Sequence, residues 1–289
     1  MALCVSGAAV LVLSLLVAAG GEGAEKARVT PSTLRQGDVG VLVVTGAPDA
    51  KVMEGSVGDR PLSFFPYADG YAAVIGVDLG APPGRMPWRV GWVDGAGSSH
   101  KAHGRLTVRS RKFPSQRLTL PREMVDLDAA SEQRADAEAA RLQTLYRTVS
   151  SERLWRGRFT RPVASARPGE GFGSRRIING KPRSPHSGLD YSAPAGTPIV
   201  AANRGRVALV ADFFFGGRIV ALDHGQGLYT LYMHLDGMHV VEGALVERGE
   251  TIGTVGSTGR ATGPHLHWSA QVRSSRVDPA ALLVLPVRD

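Results

Sequence analysis

Between Arg28 and Val108 short apolar runs alternate with turn residues. Val41-Leu42-Val43-Val44 gives way to Gly46-Ala47-Pro48-Asp49, and Asp69-Gly70 leads into Tyr71-Ala72-Ala73-Val74-Ile75-Gly76-Val77. Trp88-Arg89-Val90-Gly91-Trp92-Val93 then meets Asp94-Gly95, and Leu106-Thr107-Val108 closes the series. β-Branched and aromatic side chains suit a pleated, half-buried backbone, while Gly, Pro and Asp supply the turns. The spacing predicts a small antiparallel sandwich.

The pattern changes at Asp128. From there to Leu154 the chain is rich in Ala, Glu and Arg, with apolar Leu142, Leu145, Tyr146 and Val149 at spacings of three and four. That period predicts an amphipathic helix, and Asp128 can cap its first turn. Its plain role is connection and packing. The sharper reading is that it, or the sandwich before it, lies over a cleft and keeps the protein latent.

After Trp155 the period returns to strands. Ile199-Val200-Ala201-Ala202, Arg206-Val207-Ala208-Leu209-Val210 and Arg218-Ile219-Val220-Ala221-Leu222 read as buried strands, and glycines punctuate the chain from there to Gly259. The expectation is an all-β core of antiparallel strands with loops at one end, able to hold a cleft. The predicted fold class is therefore mainly β: an N-terminal, immunoglobulin-like β-sandwich (28–110), a linker with one α-helix (111–158) and a C-terminal antiparallel β-sheet domain (159–289). The Cys-Trp-Cys hallmark of true immunoglobulin domains is absent.

With 289 residues, 43% of them apolar, the chain can bury more than one core. A net charge of +8 points to an anionic setting such as a cell wall or membrane surface. Its arginines are scattered, with no basic run interleaved with aromatics, which argues against a nucleic-acid partner. Ala8 to Ala19 is apolar apart from Ser14 and is followed by small residues, so residues 1–24 read as an export signal, cut after Gly20, Gly21 or Ala24. No Lys or Arg precedes Lys26, and Leu3 to Gly21 is long enough to serve instead as an uncleaved anchor across ~30 Å of hydrocarbon. Either way the expected location is the periplasm or cell envelope. Cys4, the only cysteine, lies in that segment, which fits an oxidising compartment and excludes thiolate ligands and a cysteine nucleophile.

The candidate chemistry lies in two clusters, His186-x-x-x-Asp190 and His265-x-His267, with His234 between them in Leu231-Tyr232-Met233-His234-Leu235. Strand residues two apart point the same way, roughly 6 to 7 Å from each other, so one of His265 and His267 can bind an ion while the other stands beside it. Gly188 allows the backbone to turn between His186 and Asp190. Two imidazoles and a carboxylate suit zinc, and three protein ligands leave its fourth position for water. His100, His103, His224 and His239 have no such company and read as surface or turn histidines. The chain has no G-x-S-x-G, P-loop or H-E-x-x-H motif.

These residues carry a resemblance. Phe172-Gly173-Ser174-Arg175-Arg176, Asn179-Gly180, Pro185-His186-Ser187-Gly188-Leu189-Asp190, Gly196-Thr197-Pro198, Leu231 to Leu235 and Val255 to His267 together resemble the lysostaphin-type (LytM) zinc endopeptidases of bacterial peptidoglycan, over roughly residues 160 to 285. The resemblance implies one zinc ion per catalytic domain, held by His186, Asp190 and His267, with His234 and His265 as the catalytic pair. It implies hydrolysis of stem-peptide cross-links through a zinc-activated water, with one imidazole stabilising the oxyanion and the other moving protons. Either D-alanine to diamino-acid bonds or glycine bridges would serve as substrate. Arg175, Arg176, Asn179, Tyr191 and Tyr232 are candidates for lining the substrate groove, since a guanidinium matches a carboxylate bidentately. Some relatives have lost ligands and only activate other hydrolases, so a wall-binding or activating protein, partnered by a regulatory cell-envelope protein, is the second reading.

Overall fold

Strand-forming runs become paired strands throughout residues 26–122, 125–167, 169 and 171–287, which are the residues described by a computed structural model. The export segment and Cys4 lie outside the described residues. Among the described residues nine strands precede the linker: β1 (Ala27–Thr30), β2 (Thr33–Arg35), β3 (Val39–Val44), β4 (Val52–Val57), β5 (Arg60–Pro61), β6 (Phe65–Tyr67), β7 (Gly70–Gly76), β8 (Gly84–Val93) and β9 (Ser99–Arg109). They form two sheets, ordered β1-β3-β7-β6 and β2-β9-β8-β4-β5. Leu42, Val44 and Ile75 from the first sheet share one buried cluster with Trp88, Val90, Trp92 and Leu106 from the second. The pairings are antiparallel except that β2 runs parallel to β9, because the chain switches sheets between β1 and β2 without a hairpin.

The first sheet is covered on both faces. Val39 and Val41 of β3, with Ala72 and Phe65, join the core of the C-terminal half, while Leu42 and Val44 face the other way. A strand buried on both sides needs no polar face, which is why Val41 to Val44 is continuously apolar. An ion pair fastens the two halves. Arg276 donates from Nη2 to Asp78 Oδ1 (2.9 Å), from Nε to Oδ2 (3.2 Å) and from its backbone N–H to Oδ2 (2.8 Å). Burial pushes the Asp78 carboxyl up, but the bonds from Arg276 and the Gly80 N–H outweigh it and hold the group below its ordinary value. With the folded pKa below the unfolded value of about 3.9, this contribution is complete above that value and fades as the pH falls through the folded one. Asp78→Ala should cost about 1.5–3 kcal/mol at pH 7 in denaturant unfolding, and progressively less as the pH falls through the depressed folded-state value.

In the linker, β10 (Ser115–Leu118) runs parallel to β11 (Arg175–Ile178), which turns back as β12 (Lys181–Pro182). Helix α1 covers Ala129–Arg147 and is capped by Asp128, whose Oδ1 accepts the Ser131 N–H at 2.7 Å. It ends at Arg147, seven residues short of Leu154, where Thr148 is already extended. Thr, Val and Ser propagate a helix poorly and compete for its backbone. Val149, assigned to the apolar stripe, is exposed. Leu142 and Leu145 pack on Leu209, Phe213, Ile219, Ala221 and Leu231.

The remaining elements are β13 (Gly188–Ser192), β14 (Pro198–Val200), β15 (Gly205–Phe213), β16 (Gly217–Gly225), β17 (Leu228–Met238), β18 (Leu245–Val246), β19 (Thr251–Val255), β20 (His265–Val272), β21 (Ser275–Val277) and the short helix α2 (Pro279–Leu282). The sheet order is β13-β20-β17-β16-β15-β18, antiparallel throughout, with β14, β19 and β21 added at its margins. One face buries Tyr191, Val220, Tyr232, Leu266 and Trp268. The architecture is mainly β, as the alternation predicts.

Candidate metal centre and cleft

Strand β20 lies between β13 and β17, and this register builds the site. Asp190 is paired with His267 on one side, and Met233 is paired with His267 on the other. Cross-strand partners share a face, so the carboxylate and the imidazole meet directly. His186 lies just before β13 and is fixed through its backbone, its N–H donating to Ser174 O (3.0 Å) and its carbonyl accepting from Gly173 N–H (2.7 Å). Asp190 Oδ1, His267 Nδ1 and His186 Nε2 form a triangle with edges of 2.8, 2.8 and 3.0 Å. A tetrahedral zinc ion with ligands at about 2.0–2.1 Å would set these edges at roughly 3.3–3.4 Å, so a few tenths of an ångström of spreading accommodates it. Among the described residues this is the group of His, Cys, Asp and Glu side chains able to hold an ion.

Two glycines make the space. A Cβ on Gly188 would lie 2.7 Å from His267 Nε2 and 2.5 Å from Trp268 O, and a Cβ on Gly171 would lie 2.7 Å from His186 Nδ1. Gly188 sits inside β13 and is absent from the residues of positive φ, so it serves clearance rather than the expected turn. Burial pushes the Asp190 carboxyl up, but the bonds from His186 and His267 reverse this and hold it well below the usual carboxylate range. Burial drives the His267 imidazole down despite Asp190 beside it. An ionised carboxylate beside two imidazole nitrogens, which release their facing protons when an ion binds, is the donor set a divalent cation requires.

His234 reaches the site by an irregularity. Met233 already faces the cleft beside His267, and in a regular strand the next residue would face the core. Between Tyr232 and Leu235 β17 carries one residue more than β16 does between Val220 and Arg218, and His234 takes φ +65° there. This bulge turns its ring back to the cleft, at a backbone cost on the order of 1–2 kcal/mol. Its N–H donates to Gly216 O at 2.9 Å. The His234 ring centroid is 4.7 Å from that of His265 and 6.2 Å from that of His267. Nδ1–H of His234 donates to Thr258 O (2.9 Å) and Nδ1–H of His265 to Gly263 O (2.8 Å). Carbonyls only accept, so in the neutral rings both Nε2 atoms are left as acceptors. Burial, then the neighbouring His267 and His265, push the His234 pKa down to about 4, so it is neutral at pH 7.

The five residues open onto a cleft of ≈ 700 Å³ whose wall includes Phe213 and Met233 from the sheet, Phe215 from the turn between β15 and β16, and Ala135, Glu138 and Leu142 from α1. Of the groove candidates, Arg176 lines the cleft, its Nη2 3.9 Å from Asp190 Oδ2. Arg175 is exposed and outside the lining, as strand alternation requires of its neighbour. Asn179 turns outward to bond both the N–H and the carbonyl of Leu120. Tyr191 and Tyr232 are fully buried, because each is next in sequence to a residue that faces the cleft. The groove expectation is therefore corrected at these four positions. His224 is buried between Arg204 O and Thr230 Oγ1, His239 and His103 are exposed, and His100 stacks on Trp92. Sequence reasoning passed over Arg183 and Arg260, which also line the cleft, and the carbonyls of Thr258 and Gly263, which orient the histidines. Both carbonyls lie in the Val255–His267 run, but a backbone acceptor leaves no mark in residue type.

Residues 184–279 match the model of Peptidase family M23. A crystal structure of a putative peptidase M23 from Pseudomonas aeruginosa is 31% identical, with a TM-score of 0.66, covering 86% of this chain and 94% of that one. The chain belongs to peptidase family M23. The M23 segment is also 40% identical over 94 residues to the peptidoglycan DD-endopeptidase ShyB of Vibrio cholerae, a match spanning 32% of this chain and 22% of that protein. It is 42% identical over 106 residues to an uncharacterized metalloprotease of Haemophilus influenzae, spanning 36% of this chain and 22% of that protein. The M23 chain thus spans about a fifth of the length of these curated relatives.

Proposed function

We propose that this M23 protein is an exported zinc-dependent endopeptidase that hydrolyses peptide cross-links of peptidoglycan in the periplasm or cell envelope. In this reading residues 1–24 direct export, 28–110 form an immunoglobulin-like spacer, 111–158 connect, and 159–289 carry the catalysis. The observation that carries it is the convergence of Asp190, His267 and His186 on one point beside a second pair of imidazoles. The M23 membership and the relative named as a peptidoglycan DD-endopeptidase support the substrate.

Two imidazole nitrogens and one carboxylate oxygen fit zinc with a position to spare. Bound there, zinc would act as a Lewis acid and lower the pKa of water from 15.7 to about 7. The chain supplies the rest. His186, Asp190 and His267 would hold the ion, and the neutral His234 offers an Nε2 lone pair that can accept a proton. His265 Nε2 stands beside it, so the pair can take a proton from water and return one to the leaving amine. Thr258 O and Gly263 O keep both rings in the competent tautomer. The apolar wall of Phe213, Phe215 and Met233 thins the water around the developing charge, which strengthens these interactions.

A digest of purified cross-linked muropeptides tests the reading: monomers should appear and should vanish with a chelator, whereas unchanged cross-linking in both arms refutes it. A finer test is Gly188→Ala. Its methyl group would meet both the His267 ring and the Trp268 carbonyl and press β13 away from β20, so zinc affinity should drop by about 10- to 100-fold in a competition titration.

A further inference from the structure

His234 owes its place in the cleft to two backbone acceptors, its N–H donating to Gly216 O (2.9 Å) and its Nδ1–H to Thr258 O (2.9 Å). Both acceptors belong to one small assembly. Gly216 ends the turn Phe214-Phe215-Gly216, which joins β15 to β16, and the next residue, Gly217, takes φ +60° so close to Thr258 that a Cβ there would overlap the Thr258 carbonyl. Arg218 then donates its N–H to Thr258 Oγ1 (3.0 Å). A shift of this turn therefore moves both supports of the imidazole together.

Helix α1 holds the turn. Glu138 Oε2 accepts the Phe214 N–H at 2.7 Å, and Arg134 Nη2 donates to Asp212 O at 3.1 Å, so the helix grips the chain on both sides of Phe213. Arg134 Nε also donates to Glu138 Oε1 (2.7 Å), which fixes the direction of the carboxylate. An ionised acceptor makes such a bond roughly twice as strong as a neutral one, and with 15% of its side chain exposed Glu138 is turned to the protein rather than to water. Its place is not needed to dock the helix, because Leu142 and Leu145 do that further along.

We propose that Glu138 is a positioning residue for hydrolysis: through the Phe214 N–H it sets the turn that aims His234 Nε2 into the cleft. The proposal rests on the endopeptidase reading above and adds to it a residue from outside the segment 184–279 that matches M23. It makes α1 a working part of the catalytic unit, not a cover to be lifted from it. The path runs through β15, β16 and β17, whereas the metal donors lie on β13, just before it and on β20, so ring placement and metal binding can fail separately. Misplacing a catalytic group by about 1 Å can cost on the order of 10²-fold in rate.

The test compares the purified, zinc-loaded full chain with Glu138→Ala, Glu138→Asp and Glu138→Gln. On a defined muropeptide dimer, kcat should fall about 10- to 100-fold in the Ala and Asp variants, with KM and zinc content near the wild-type values. Glu138→Gln should recover most of the rate, because its amide oxygen reaches the same N–H, whereas Asp keeps the charge but is one methylene too short. Amide hydrogen exchange at His234 needs no turnover: it should quicken in the Ala and Asp variants and stay slow in Gln, since that N–H is the one bound to Gly216 O. An Asp variant as active as wild type, a Gln variant as impaired as Asp, or a loss of rate with exchange at His234 unchanged overturns the proposal, and each can be judged even if Glu138→Ala does not fold. Loss carried by KM or by zinc content overturns it too, since that is what a plain packing role would give. A wild-type chain that cleaves no dimer while exchange at His234 still follows residue 138 would strike down the endopeptidase reading alone and leave the placement of the ring standing.

Discussion

His267→Ala is expected to abolish zinc binding and peptide cleavage in a single step. His267 lies on the middle strand of the three that build the site, paired with Asp190 on one side and Met233 on the other. Its Nδ1 is 2.8 Å from both Asp190 Oδ1 and His186 Nε2, so its loss removes one donor and the group that aligns the other two. Losing an outer partner of a metal ligand costs roughly 10- to 100-fold, and losing the ligand itself should exceed that. Metal analysis by mass spectrometry should show no stoichiometric zinc, and muropeptide cross-linking should survive the digest. A variant that keeps its zinc and cuts at the wild-type rate would remove this side chain from the site.

His234→Ala and His265→Ala should give the opposite combination, zinc retained and cleavage lost. Neither ring is among the three converging donors, yet both face the same cleft. General acid–base groups contribute about 10²–10⁴-fold, so kcat should fall by that order while the metal content stays near one per chain. The pH profile adds a second constraint. His234 is depressed to about 4, and a bound cation would push it the same way, so the ring remains an acceptor through neutral pH. Any acid limb of kcat above about pH 6 should therefore persist in His234→Ala. If that limb disappeared with the ring, His234 would be titrating near neutrality and the account of its burial would be wrong.

Arg176 and Arg175 show how far residue type reaches. Both were candidates because a guanidinium suits a carboxylate, and alternation along β11 then puts one in the cleft and leaves the other exposed. Tyr191 and Tyr232 fail for the same reason: each sits one position from a cleft-facing residue and is buried in the core. The period was visible in the sequence at all four positions, but not which parity faced the cleft, because both faces of these strands carry large side chains. Helix α1 was legible from its spacing and its Asp128 cap, whereas its end at Arg147 and its place along the cleft depend on packing against Leu209, Phe213 and Ile219.

The sequence by itself determined the strand periods, the helix and the donor chemistry, because these follow from side-chain type and from spacings of two to four residues. It also placed His265 and His267 on one face. Only the tertiary structure decided that Asp190 would stand opposite His267, that a bulge would turn His234 back to His265, and that three arginines would share one cleft. Those outcomes depend on register between strands about eighty residues apart in the chain and on a single left-handed backbone angle. A shift of one residue in either would send the same side chains to the other face of the sheet.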